Sequence, residues 1–111
     1  MKVTEVKIES HIDEVLAELH DRVPVILEAI GIEAEGNAVT EITNLGAVDT
    51  GRLRGSISHA HDDEAAYIGT NVEYAPYVEL GTRRMAARPF LRNAVSNYTD
   101  DYKRIIEEGL K

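Results

Sequence analysis

Arg52 and Arg54 lie two residues apart between glycines in residues 48–57, VDTGRLRGSI, in a chain of formal net charge -8. Guanidinium groups at that spacing suit anion recognition, because each offers a planar fork of donors to a carboxylate or phosphate. A phosphate-cradling loop needs G-x-x-x-x-G-K-S/T where a strand enters a helix. Here the glycines are Gly51 and Gly55, no lysine follows, and the context is helix-to-strand. The dinucleotide fingerprint fails similarly, so no nucleotide or other cofactor is expected. A second candidate is HAHDD, residues 59–63, where extended backbone puts His59 and His61 on one side. With Asp62 or Asp63 they could form an imidazole–carboxylate metal site. No further ligand spacing supports it, and a solvated loop is the simpler reading. No serine sits in a nucleophile elbow, and the acid pairs read as the solvated face of a helix, so no catalysis is expected. The chain has no cysteine, which excludes disulfides and thiolate chemistry.

Charge is distributed unevenly. Residues 1–49 hold three basic and eleven acidic side chains, whereas residues 50–92 hold six arginines against five acids. Net acidity disfavours general nucleic-acid binding, which draws most of its affinity from phosphate neutralisation. Arg52, Arg54, Arg83, Arg84, Arg88 and Arg92 could still gather on one face. Carboxylate pairing with Glu73, Glu79 and the acidic first helix is the plainer use for them. No apolar run approaches the roughly 20 residues of a membrane span. The start, MKVTEVKIES, lacks the apolar stretch of a signal peptide.

The elements that must position these groups follow from periodicity. The 111 residues fit one domain. Residues 1–9 alternate and predict a strand or an extended arm. Residues 10–45 read as helical, with a Ser10–Asp13 capping box and Ile12, Val15, Leu16 and Leu19 at helical spacing. Pro24 either kinks one helix or opens a second that Asp21 caps. Ile26, Ala29, Ile30, Glu33, Ala34, Asn37, Ala38 and Ile42 trace the next stripe, and Gly46 stops it. Residues 48–70 predict a β-hairpin. Its first strand carries Leu53, Gly55 and Ile57 on one face and Arg52 and Arg54 side by side on the other. Asp49, Thr50 and Gly51 form the corner, and residues 59–65 are the hairpin loop. Residues 71–88 are irregular, with a helical turn near Pro76–Leu80 stopped by Gly81 and a basic loop containing Arg83, Arg84, Met85 and Arg88. Pro89 opens a last helix over residues 89–110, with Phe90, Leu91, Ala94, Val95, Tyr98 and Tyr102 along its stripe. The expected fold is α+β: a long N-terminal and a C-terminal helix packed on a small antiparallel sheet.

VDTGRLRGSI, then YIGTNVEYAPYVELGT, then MAARPFLRNA resemble a family of tailed-phage proteins, the gene-product-ten-like family of tail components and head–tail joining or tail-completion proteins. The three motifs stand in the family's order and cover about half the chain, with Ala47 where the family often has proline. The resemblance implies a virion structural protein, present in host cytoplasm during assembly, without catalytic activity. It implies a homo-oligomeric ring, expected to be hexameric, at the head-proximal end of the tail. The partners it implies are the tail tube or terminator protein, the head–tail connector proteins and DNA sliding through the lumen without sequence-specific contacts. A neck adaptor, a minor capsid protein or a nucleic-acid-binding assembly factor are the alternatives. Arg52 and Arg54, then Arg83, Arg84, Met85 and Arg88, are the expected contact residues between subunits or rings. An acidic helical half facing an Arg-bearing half supplies the charge complementarity, and an acidic lumen would not hold DNA. Asp49, Thr50, Gly51, Glu79, Gly81 and Pro89 are expected to be architectural, and Tyr74, Tyr77 and Phe90 to hold the 71–88 segment against the last helix.

Overall fold

The computed structural model describes residues 4–9, 22–45 and 50–111, with residues 4–9 and Thr50 described as backbone alone. The order is β1 (Thr4–Glu9), α1 (Val23–Leu45), α2 (Thr50–Gly55), β2 (Ser58–His61), β3 (Ala65–Thr70), α3 (Ala75–Leu80), α4 (Phe90–Ser96) and α5 (Thr99–Gly109). The architecture is α+β, as the periodicities predict. β3 is the middle strand, antiparallel to β1 on one edge and β2 on the other, with Ile68 facing Val6 and His59 across the two ladders. Its sequence AAYIGT is small and apolar and is buried throughout except at Tyr67. The hairpin closes on Asp62, whose Oδ1 accepts the amides of Glu64 and Ala65 at 2.8 Å each. The tip is thus shorter than the predicted 59–65 loop, and both histidines belong to β2.

α1 crosses the sheet and also packs on α4 and α5. Pro24 lies in the first turn of α1, where a missing backbone donor costs nothing; the stretch that a kinked helix would continue into lies outside the described residues. Asp21, the Ser10–Asp13 box, the stripe from Ile12 to Leu19, Gly46 and Asp49 lie outside the described residues. The buried stripe is Ile26, Leu27, Ile30, Gly31, Ala34, Asn37, Ala38 and Ile42. It is turned slightly from the predicted one, leaving Ala29 and Glu33 half-buried at its margin. Ile26, Leu27, Ile30 and Ile42 meet Leu53, Ile57, Ile68, Phe90 and Leu91 in one core. Inside it the Tyr102 hydroxyl donates to the Ala94 carbonyl and accepts from Asn37 Nδ2 at 3.1 Å, so both buried polar groups are satisfied.

Two predicted boundaries are corrected. The strand expected from Leu53 to Ile57 is instead the turn of helix α2, and the hairpin starts at Ser58. Leu53 and Ile57 are both buried while Gly55 is exposed. Four-residue spacing brings the two apolar side chains together on a helical turn and its exit, as strand alternation would on a sheet face. The last helix is two helices, parted at Asn97 and Tyr98, where Tyr98 has φ -125°. The break lets the Tyr98 hydroxyl reach Glu41 Oε2 at 2.8 Å while Tyr102 still enters the core. The 71–88 segment contains α3, whose N-terminal turn carries Pro76 and whose stop is Gly81.

Candidate interaction surface

α2 sets the two central arginines apart. Positions two residues apart on a helix diverge by roughly 200°, so the side-by-side pair expected from a strand does not form. Arg52 makes a bidentate fork with Glu73, both contacts at 2.9 Å, and its guanidinium lies 5.6 Å from the Tyr74 ring centroid. The Arg52 hydrogen bond holds the Glu73 carboxyl below its ordinary value. Arg54 points instead towards Thr43 Oγ1, at 3.5 Å. Two residues on, the Ser56 and Thr70 hydroxyls meet at 2.5 Å, and Thr70 Oγ1 accepts the Val72 amide. The first and second motifs are thereby joined side chain to side chain.

Glu79 does a different task from the one expected. It is 9% exposed and pairs with no arginine side chain; its two oxygens accept the amides of Leu91 and Arg92 at 2.9 and 3.2 Å. Those are orphan donors of the first turn of α4, so Glu79 caps that helix from a distance. The Arg88 amide donates to the Val78 carbonyl at 2.8 Å, and Arg88 Nη1 to the Leu45 carbonyl at 3.3 Å. Between these ties, Gly81 has φ 79°, and a Cβ there would sit 2.7 Å from the Ala87 nitrogen. Only glycine fits that approach. Thr82 and Met85 then exchange backbone hydrogen bonds, and Thr82 Oγ1 accepts the Arg84 amide.

The result is a pinned loop with Arg83 and Arg84 exposed at its tip and Met85 half-buried beneath. Neither arginine side chain has a partner among the described residues. Beside them α3 turns Tyr77, 61% exposed, and Leu80, 77% exposed, to solvent. Tyr77 is thus not the core residue the sequence suggested: on this short helix Ala75 and Glu79 face inward and Tyr77 and Leu80 outward. Tyr74 is half-buried against the core and Phe90 is fully within it, as expected. Pro89 directly precedes α4.

α1 has the opposite character. Its charged residues are Glu28, Glu33, Glu35 and Glu41, with no Lys or Arg, and Val25 and Ile32 are exposed apolar side chains. Glu28 and Glu35 reach across to His59 on β2, at 3.0 and 2.9 Å. These contacts raise the His59 ring above its ordinary value, the Glu28 hydrogen bond contributing most. The sequence reading did not find this link; the signal was two glutamates seven residues apart, hence on one helix face. Among the described residues, no group of three or more His, Asp or Glu side chains is disposed to hold a metal ion. No described helix is long and apolar enough to cross a membrane. No protein-family model, curated protein or solved structure matches the chain.

Proposed function

We propose that this chain is a virion structural protein of a tailed virus, a non-enzymatic subunit of a ring at the head-proximal end of the tail. One observation carries the reading: three motifs resembling those of the gene-product-ten-like family, in that family's order and spacing. The fold supports it by giving the motif residues a common task. Arg52–Glu73 and Ser56–Thr70 tie the first motif to the second, and Glu79 with Leu91 and Arg92 ties the second to the third. Residues of the motifs thus build a platform, and what the platform offers to solvent is the Arg83–Arg84 loop beside Tyr77 and Leu80.

A closed ring needs two unlike faces that meet head to tail. The arginine loop with its two apolar neighbours supplies one. The acidic α1, with Val25 and Ile32 exposed, supplies a complement in charge and in apolar character. Tail tube or terminator, connector proteins and passing DNA are the further partners of such a ring. Electron cryomicroscopy of the intact particle tests the role: density for this chain in a ring at the head–tail junction supports it, and absence from the mature particle overturns it. The unpartnered arginines favour one other reading, a nucleic-acid-binding assembly factor. That reading requires strongly salt-dependent DNA affinity, lost on Arg83→Ala with Arg84→Ala.

A further inference from the structure

The imidazole of His59 is held between two carboxylates. Nδ1 lies 2.9 Å from Glu35 Oε1 and Nε2 lies 3.0 Å from Glu28 Oε2. The two glutamates are two turns apart along one face of α1, roughly 10 Å in rise, and the ring bridges the gap between them. It lies flat enough on the helix that a Cβ on Gly31 would come within 2.9 Å of its Cδ2. Glycine at position 31 is what allows the close approach.

Elementary proton counting decides what this arrangement is. A carboxylate only accepts hydrogen bonds. A neutral imidazole has one N–H and one lone pair, so it can donate to one of the two glutamates and must turn a lone pair towards the other. The imidazolium donates to both. We infer that Glu28, His59 and Glu35 form a proton-operated clasp between α1 and the edge strand β2, closed on both sides only while the ring carries its second proton. This inference is independent of the role proposed above. Among the described residues, the charged or titratable groups facing the ring are Glu28 and Glu35 from α1 and, from β2, His61, whose Nε2 is 3.8 Å from Glu28 Oε1. From β3 the residue in register with His59 is Ile68, which carries no charge.

The sign follows from which state holds the proton. The folded chain keeps His59 protonated to higher pH than the ordinary 6.5. The clasp therefore contributes fully below 6.5 and is lost as pH rises through the folded value. Its ring is 21% exposed and the glutamates 48% and 37%, so solvent screening limits the effect. Among the described residues β2 pairs with the sheet along one edge only, and loss of the proton removes one of the two hydrogen bonds by which His59 ties it to α1.

The test is a nuclear magnetic resonance titration of His59 in the full chain, with hydrogen exchange of the β2 amides from about pH 5.5 to about pH 9. The expected result is a His59 midpoint above 6.5. Protection of residues 58–61, corrected for intrinsic exchange, should fall roughly two- to fivefold across that midpoint, the range for a partly exposed ion pair. Glu35→Gln should lower the midpoint, His59→Gln should abolish the pH-dependent loss, and His61→Gln should leave it in place. A His59 midpoint at or below the ordinary value overturns the inference. So does a protection profile that is the same in wild type and His59→Gln.

Discussion

Glu73 and Glu79 are six residues apart in one motif, and they illustrate opposite uses of a carboxylate. Glu73 lies in solvent, 59% exposed by side chain, and binds the guanidinium of Arg52. Glu79 is almost wholly covered and binds two backbone amides at the start of α4. The first contact has ideal fork geometry and full opposite charges, yet water competes for both partners and salt screens them. The second involves one charge, but it is the acceptor of two amides at a largely covered helix start, where a lost partner is costly. The difference teaches that covering, not formal charge, decides which motif residue is indispensable.

The largest effect is expected from Glu79→Ala. Urea or thermal melts should show a loss of about 2–3 kcal/mol, from one buried and one part-buried donor deprived of their acceptor and a missing cap. Glu79→Gln, which keeps an acceptor oxygen, should recover a large part. A small loss for Glu79→Ala would mean that other groups fill in for it. Next in size is Gly81→Ala, which forces a side chain into φ 79° and against the Ala87 backbone. It should cost about 1–3 kcal/mol and shift loop amides at residues 82–87 before it shifts the sheet.

An intermediate effect is expected on the alkaline side. Thermal stability should decline as pH rises through the folded His59 value, and the decline should vanish in His59→Gln. Smallest is the exposed pair. Arg52→Ala or Glu73→Ala should lower the melting temperature by no more than about 2 °C, and the difference should shrink in high salt. Because the Glu73 and Glu28 carboxyls are both held below their ordinary 4.5, their contribution is present above that pH and fades only as pH falls through the lowered values. Acid titration of stability should therefore show a decline that sets in as pH falls below 4.5 and levels off past the lowered values. For the proposed ring, the cysteine-free chain allows a direct check. Leu80→Cys mixed with Ile32→Cys should give a disulfide-linked heterodimer under oxidation, while Leu80→Cys alone should not self-link. Self-linking of Leu80→Cys alone would replace the head-to-tail contact by a symmetric one.

Much of the frame was legible in the chain. The period of Ile26, Ile30, Ala34, Ala38 and Ile42 is long enough to specify a helix, and Gly81 and Pro89 punctuate where they should. The six residues of α2 were too few for periodicity to separate helix from strand, since Leu53, Gly55 and Ile57 satisfy alternation as written. The break at Asn97 carries no proline or glycine; it is set by the separate partners of Tyr98 and Tyr102 on α1. The Arg52–Glu73 pair was foreseeable from charge. The cap by Glu79 and the clasp on His59 were not, because each joins elements whose mutual placement only the packing determines.

The Tyr102 hydroxyl, held between Asn37 and Ala94, has an optical consequence. The chain has five tyrosines and no tryptophan, so its near-ultraviolet signal is phenolic. Burial pushes the Tyr102 phenol above its ordinary 10.0, and the Glu41 contact does the same for Tyr98. Losing the proton from Tyr102 would deprive the Ala94 carbonyl of its donor in the middle of the core. In an alkaline titration the Tyr102 phenolate band should therefore develop together with the collapse of helical circular dichroism. One native side chain thus serves as a colour indicator for the integrity of the packing between α1, α4 and α5.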